Sequence, residues 1–103
     1  FLAAGLAGEA ESYFKSSLDE NPEDISLYNR LGIAFRKQNK FSEAIANYLK
    51  AIAIDPHEEN LWYNLARAYL SAGDKENALV SLREAVKILP TFKEAQNLLT
   101  RLS

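Results

Sequence analysis

Few side chains in this sequence are arranged to do chemistry. The single histidine, His57, follows Asp55-Pro56 and precedes Glu58 and Glu59. Acid–base or metal chemistry there would need further groups converging on the imidazole. The two glutamates suit the first turn of a helix, where unpaired N–H groups and the helix dipole favour negative charge. The absence of cysteine excludes disulfides, thiolate nucleophiles and cysteine metal ligands. There is no glycine-rich phosphate loop, no metal-ligand spacing and no serine nucleophile elbow. The expectation is a protein that is not an enzyme, with no catalytic residue, no metal and no cofactor.

A binding chemistry is better represented. At 100° per residue, Ser26, Asn29, Arg30, Ile33, Arg36 and Lys37 fall on the side of a helix opposite Tyr28. Their counterparts 34 residues on are Asn60, Tyr63, Asn64, Arg67, Leu70 and Ser71. Together these positions hold four of the twelve basic residues and none of the fourteen acidic ones. The segregation predicts a groove of positive potential with a few apolar contacts, suited to an acidic or carboxyl-bearing peptide. In that reading Arg36, Lys37 and Arg67 steer the partner, and Asn29, Asn60 and Asn64 hydrogen-bond its backbone. Tyr63, Ile33 and Leu70 supply burial. The competing reading is a solvated helix face, with Ile33 and Leu70 packed on a neighbouring first helix and Tyr63 lying against Arg67.

The elements that would position these residues follow from an internal repeat. Tyr28, Leu31, Gly32, Phe35, Ala44, Tyr48, Ala51 and Pro56 recur 34 residues later as Trp62, Leu65, Ala66, Tyr69, Ala78, Leu82, Ala85 and Pro90. One period earlier, Phe1, Gly5, Ala10, Phe14, Ser17 and Pro22 share that register. A repeat of this length is one supersecondary unit that cannot bury its apolar face alone, so stacking dictates the architecture. Leu27, Tyr28, Leu31, Gly32 and Phe35 form the packed stripe of a first helix. Ala44, Ile45, Tyr48, Ala51 and Ile52 form that of a second, stopped by Asp55-Pro56. Gly5, Asn39 and Gly73 occupy the intervening turn, because Gly and Asn tolerate the left-handed backbone that ends a helix. Small residues at Gly32 and Ala66, and at Ala10, Ala44 and Ala78, mark close helix approaches. After Pro90, Thr91 and Glu94 read as a capping box opening a last helix with Ala95, Leu98, Leu99 and Leu102 on its inner stripe.

The expected architecture is all-α, an array of antiparallel helix pairs closed by a C-terminal capping helix. Residues 1–24 form a truncated first copy, mainly its second helix. Residues 25–58 and 59–92 are the complete copies, and 93–103 the cap. At 103 residues this is one domain, burying somewhat over ~60% of its unfolded surface. A net charge of -2 gives no general attraction to nucleic acid or anionic lipid. The apolar opening Phe1 to Ala7 lacks a basic flank and falls far short of the ~20 residues of a membrane span. Neither nucleic acid nor membrane insertion is expected. The compartment is left open, with the cytoplasm the default. With no methionine and a start partway through a copy, the chain reads as a piece of a longer protein.

The pattern resembles the tetratricopeptide repeat, a 34-residue helix-turn-helix with an aromatic, Leu-Gly, Tyr, Ala, Phe or Tyr, Ala and Pro at set spacings. Departures are mild: Ala66 stands for the usual Gly, Leu82 for the usual aromatic and Ser17 for the usual Ala. The resemblance implies a right-handed superhelix whose first helices line a concave groove that commonly holds a peptide or partner segment. Some members of the family grip a C-terminal carboxylate with a set of Lys, Asn and Arg residues. Here only Asn64 matches; Ile33, Glu94 and Leu98 stand where Asn, Lys and Arg are needed. That clamp is not assigned, and a carboxylate would need another arrangement of Arg36, Lys37 and Arg67. The functional expectation is a non-catalytic interaction module or scaffold for a protein or peptide. The alternative is a self-assembling segment, a homo-oligomer stacked through the open N-terminal face of Phe1, Leu2, Leu6 and Phe14.

Overall fold

The computed structural model describes residues 2–103, and its elements are helical: α1 (Leu2–Glu20), α2 (Ile25–Lys37), α3 (Phe41–Ile54), α4 (Glu59–Ser71), α5 (Lys75–Ile88) and α6 (Lys93–Leu102). No strand occurs among the described residues. Each helix packs on the next in sequence, and α2 also touches α4, so the first helices of the two complete copies run side by side.

The turns form where the sequence calls for them in the complete copies. Asn39 has φ 62° and Gly73 φ 84°, the left-handed backbone that closes a helix end. Past each, a backbone N–H reaches back across the last turn: Lys40 donates to the Phe35 carbonyl at 2.9 Å and Asp74 to that of Tyr69 at 2.8 Å. The entries to α2 and α4 are capped by carboxylates one repeat apart. Asp24 accepts from the backbone N–H of Ser26 at 3.0 Å, and Glu58 from that of Asn60 at 3.5 Å.

Two sequence expectations fail at the ends. Gly5 makes no turn, because α1 runs unbroken from Leu2 to Glu20. A glycine inside a helix costs only about 1 kcal/mol relative to alanine. A turn there would orphan backbone groups on both sides. The Thr91–Glu94 capping box is also absent: α6 starts at Lys93 with Phe92 at its N-cap and no side-chain cap bond. Phe92 is 8% exposed and its ring centroid lies 5.1 Å from that of Tyr63. Burying a phenylalanine contributes roughly 1.5–3 kcal/mol, against about 1 for a side-chain cap, so the aromatic sets the helix start.

Two clusters make the core. The first centres on Leu31, Phe35, Tyr48, Leu61 and Leu65, with Phe14 and Leu18 of α1 packed against it. The second centres on Ala66, Ala78, Leu82, Ala85, Phe92 and Ala95. Trp62 and Tyr69 pack against both and so join the copies. Ala44 and Ala78 are fully buried and Ala10 half-buried, as close helix approach requires. Phe14, expected on an open N-terminal face, is half-buried against the core, while its neighbour Tyr13 is 68% exposed. Phe1 lies outside the described residues, as do the side chains of Leu2 and Leu6.

A polar latch repeats with the same period. The Tyr28 hydroxyl donates to the Pro22 carbonyl at 2.9 Å, the Trp62 indole N–H to that of Pro56 at 2.9 Å, and the Gln96 amide to that of Pro90. Each ties a first helix, or the cap, to the proline turn before it. At the other end, Glu11 ties α1 down: it accepts from Gln38 Nε2 at 2.9 Å and pairs with Lys15 at 2.8 Å and Lys40 at 3.4 Å.

Candidate peptide-binding groove

The predicted groove residues lie on α2 and α4, and the structure joins the two helices through them. Asn64 Nδ2 donates to Asn29 Oδ1 at 2.9 Å, a bond between residues one repeat plus one apart. The pair is half-buried and fixes the spacing of the two helices. Each asparagine spends one polar group on this bridge and keeps the other.

The remaining candidates divide. Arg36 is half-buried, and Lys37 and Arg67 are exposed. Ile33 packs against the first core cluster, and Tyr63 and Leu70 against the second, so these three are partly committed to stability. Tyr63 lies against Phe92, and the Arg67 guanidinium sits 5.7 Å from its ring centroid, a cation–π distance. Asn60 is engaged with its own cap, its side chain donating to Glu58 Oε1 at 3.3 Å.

One residue not assigned to this face from the sequence belongs to its description. A cleft of 210 Å³ between the starts of α2 and α4 brings Asn29 and Asn60 together with Glu58. The face is therefore acidic at its N-terminal end and basic toward Arg36 and Arg67. Counting only helix positions hid Glu58, which stands one residue ahead of α4; its register with Asp24 was the available signal. Behind α2, Tyr48 of α3 is a core residue, as its spacing predicts. It is fully buried, with the Arg36 guanidinium beside its hydroxyl. Burial pushes its pKa up, opposed by a side-chain hydrogen bond from Arg36 and then by the charges of Arg36 and Arg67.

Other candidate chemistry is not assembled. His57 is exposed, and its backbone N–H donates to Asp55 Oδ1 at 3.1 Å in the turn. No group of three or more His, Asp or Glu converges on a metal-sized site among the described residues, and none of their helices is long and apolar enough to cross a membrane. A second cleft of 710 Å³ opens between α1, α2 and α3 over Tyr28 and Phe35. Its rim sets Lys15 and Lys50 against Asp19 and Glu43, so it carries no single sign of charge.

Stacked helical hairpins, with their first helices bridged side by side, define an all-α repeat protein. Two family profiles match the chain, one described as TPR repeat over residues 32–73 and one as tetratricopeptide repeat over residues 59–92. A peroxisomal targeting signal receptor of Kluyveromyces lactis is 35% identical over 88 residues, 85% of this chain and 16% of the receptor. The human protein O-mannosyl-transferase TMTC3 is 30% identical over 88 residues, 84% of this chain and 10% of that protein. The chain thus spans a small part of these curated relatives. Among solved structures, the first TPR of Spaghetti (RPAP3), bound to the HSP90 peptide SRMEEVD, matches with a TM-score of 0.89 at 20% identity. The match covers 95% of this chain and 78% of that one. The chain belongs to the tetratricopeptide repeat family, and its fold is the superhelical array of that family.

Proposed function

We propose that this chain is a protein-interaction module that receives an extended, acidic peptide or partner segment along the face of α2 and α4. In this reading residues 25–58 and 59–92 are the two units that supply the groove, flanked by 1–24 and the cap at 93–103. The observation that carries the proposal is the Asn64–Asn29 bridge. A side-chain bond between two first helices pre-organises the surface that an extended ligand would span, and pre-organisation lowers the entropy lost on binding.

The remaining amide groups of Asn29 and Asn64 would pair with the ligand backbone, and Arg36, Lys37 and Arg67 would attract its carboxylates. Tyr63, Ile33 and Leu70, only partly buried, would contribute their exposed portions, and Asn60 would hold the ligand end nearest Glu58. The module would act by binding, without a reaction of its own. Two relatives support the reading: the Spaghetti domain is described as bound to SRMEEVD, a peptide with three acidic residues and one basic, and the Kluyveromyces lactis protein is named as a targeting-signal receptor. The test is to change Arg36, Lys37 and Arg67 together to Glu and titrate an acidic peptide library. Loss of binding with an unchanged melting curve is expected; unchanged affinity would falsify the groove assignment.

A further inference from the structure

We infer that the cleft of 710 Å³ between α1, α2 and α3 is a second binding site, one that takes an extended, uncharged peptide segment. The segment seats an apolar side chain over Leu18, Tyr28 and Phe35 and donates a backbone N–H to Asn47. The site is separate from the α2–α4 face: Tyr28, Leu31 and Phe35 project from the opposite side of α2 to Asn29, Ile33 and Arg36.

α1 and α3 each pack on α2 but scarcely on each other, which leaves the cleft open between them. Its floor is apolar, with Leu31 and Phe35 buried and Leu18 and Tyr28 half-buried. The Tyr28–Pro22 bond holds one end in place. A volume of this size lies within the ~300–1,000 Å³ of clefts that enclose ligands.

The observation that points to a ligand is Asn47. It lines the cleft, is 8% exposed, and its Nδ2 donates to the Glu43 carbonyl at 2.8 Å. Its Oδ1 has no partner among the described residues and is not sealed from the cleft. Neither the helix nor the packing calls for that acceptor. The counterpart Ser81 is buried as well and makes the same bond, to the carbonyl of Asn77 at 2.9 Å, while the counterpart Tyr13 is 68% exposed. An unpaired acceptor in an apolar cleft is unfavourable, and an N–H supplies what it lacks. A helix spends its own N–H groups internally, so the donor belongs to an extended segment. The rim sets Lys15 and Lys50 against Asp19 and Glu43. A charge of either sign on the entering residue would meet its like there, and an uncharged residue meets none.

The test titrates isotope-labelled wild type, Asn47→Ser and Ala46→Phe with three pools of N-acetylated, amidated octapeptides: uncharged with apolar residues, uncharged without them, and acidic. Asn47→Ser keeps the helix bond that Ser81 shows and removes the acceptor. Ala46→Phe, at an exposed position on the cleft wall, fills the space. The expected result is that the apolar uncharged pool shifts the NMR signals of Leu18, Tyr28 and Asn47. Its affinity should fall about tenfold in Asn47→Ser at unchanged Tm, and binding should be lost in Ala46→Phe. N-methylation of one backbone N–H in a selected peptide should cause the same loss as Asn47→Ser. No shift at the cleft with this pool, equal binding by all pools, or unchanged affinity in either variant overturns the site. Shifts at these residues that grow with the concentration of the free protein would assign the cleft to a second copy and overturn a peptide ligand. Binding of the acidic pool to the α2–α4 face is read in the same spectra at Asn29 and Arg67, so the two sites stand or fall separately.

Discussion

Gly32 and Tyr48 offer a perturbation whose sign reverses with its context. In an exposed helix, Gly→Ala gains about 1 kcal/mol from helix propensity. At Gly32 the new methyl carbon would lie 2.5, 2.8 and 2.9 Å from Cε1, Cζ and Cδ1 of Tyr48, and that ring is fully buried. Three contacts inside van der Waals distance on a confined ring put the strain at the upper end of the ~1–3 kcal/mol range for overpacking. After the propensity gain, Gly32→Ala should destabilise by about 2 kcal/mol and lower Tm by about 10 °C. Tyr48→Leu alone should cost about 2–4 kcal/mol, since it leaves a cavity beside Gly32. The double variant should recover about 2 kcal/mol relative to the sum, because the Ala methyl enters space the ring has left. The third copy already holds this combination as Ala66 and Leu82, both fully buried. Urea and thermal denaturation of the four proteins measure the cycle. Additivity within ~0.5 kcal/mol, or stabilisation by Gly32→Ala alone, would refute the steric coupling.

Two further predictions concern the latches. The bonds from Lys15, then Gln38, opposed by some desolvation and helped by the lysine charges, hold the Glu11 pKa down from 4.5 to about 2. A depressed carboxyl contributes its stability above pH 4.5 and loses it as the pH falls through about 2. With solvent screening at both exposed lysines, Glu11→Gln should cost about 1 kcal/mol at neutral pH, and its Tm difference from wild type should vanish toward pH 2, as read by melts across that range. Trp62→Phe removes the N–H donated to Pro56 and should cost about 1–3 kcal/mol by chemical denaturation; a neutral result would show the latch to be incidental.

How much of the molecule was legible in the sequence varies with the physics at each residue. Leu31, Phe35, Ala44, Leu65, Ala78 and Leu82 could be read because their burial follows from helical period and repeat offset, and the structure buries all of them. Asn39 could be read because a positive φ favours few residue types. Gly5 could not, since glycine permits a turn without imposing one, and α1 runs through it. Thr91 misled because local capping competes with a tertiary contact, the burial of Phe92 on Tyr63. The candidate groove positions fall on α2 and α4, but their commitments to each other depend on a cross-helix distance that no single-helix projection contains. Asn64 bonds Asn29, and Tyr63 packs on Phe92 and Arg67. Tyr48 hid its polar end for the same reason: its spacing identifies a core residue, and only the surrounding atoms reveal Arg36 beside its hydroxyl.

Ligands are proposed to engage the joined face of α2 and α4. Amide and side-chain NMR shift mapping of the protein with a bound acidic peptide tests this most directly. Perturbations centred on Asn29, Arg36, Asn64 and Arg67 are expected. Perturbations centred instead on Lys15, Asn47 and Lys50, which line the cleft between α1, α2 and α3, would contradict it.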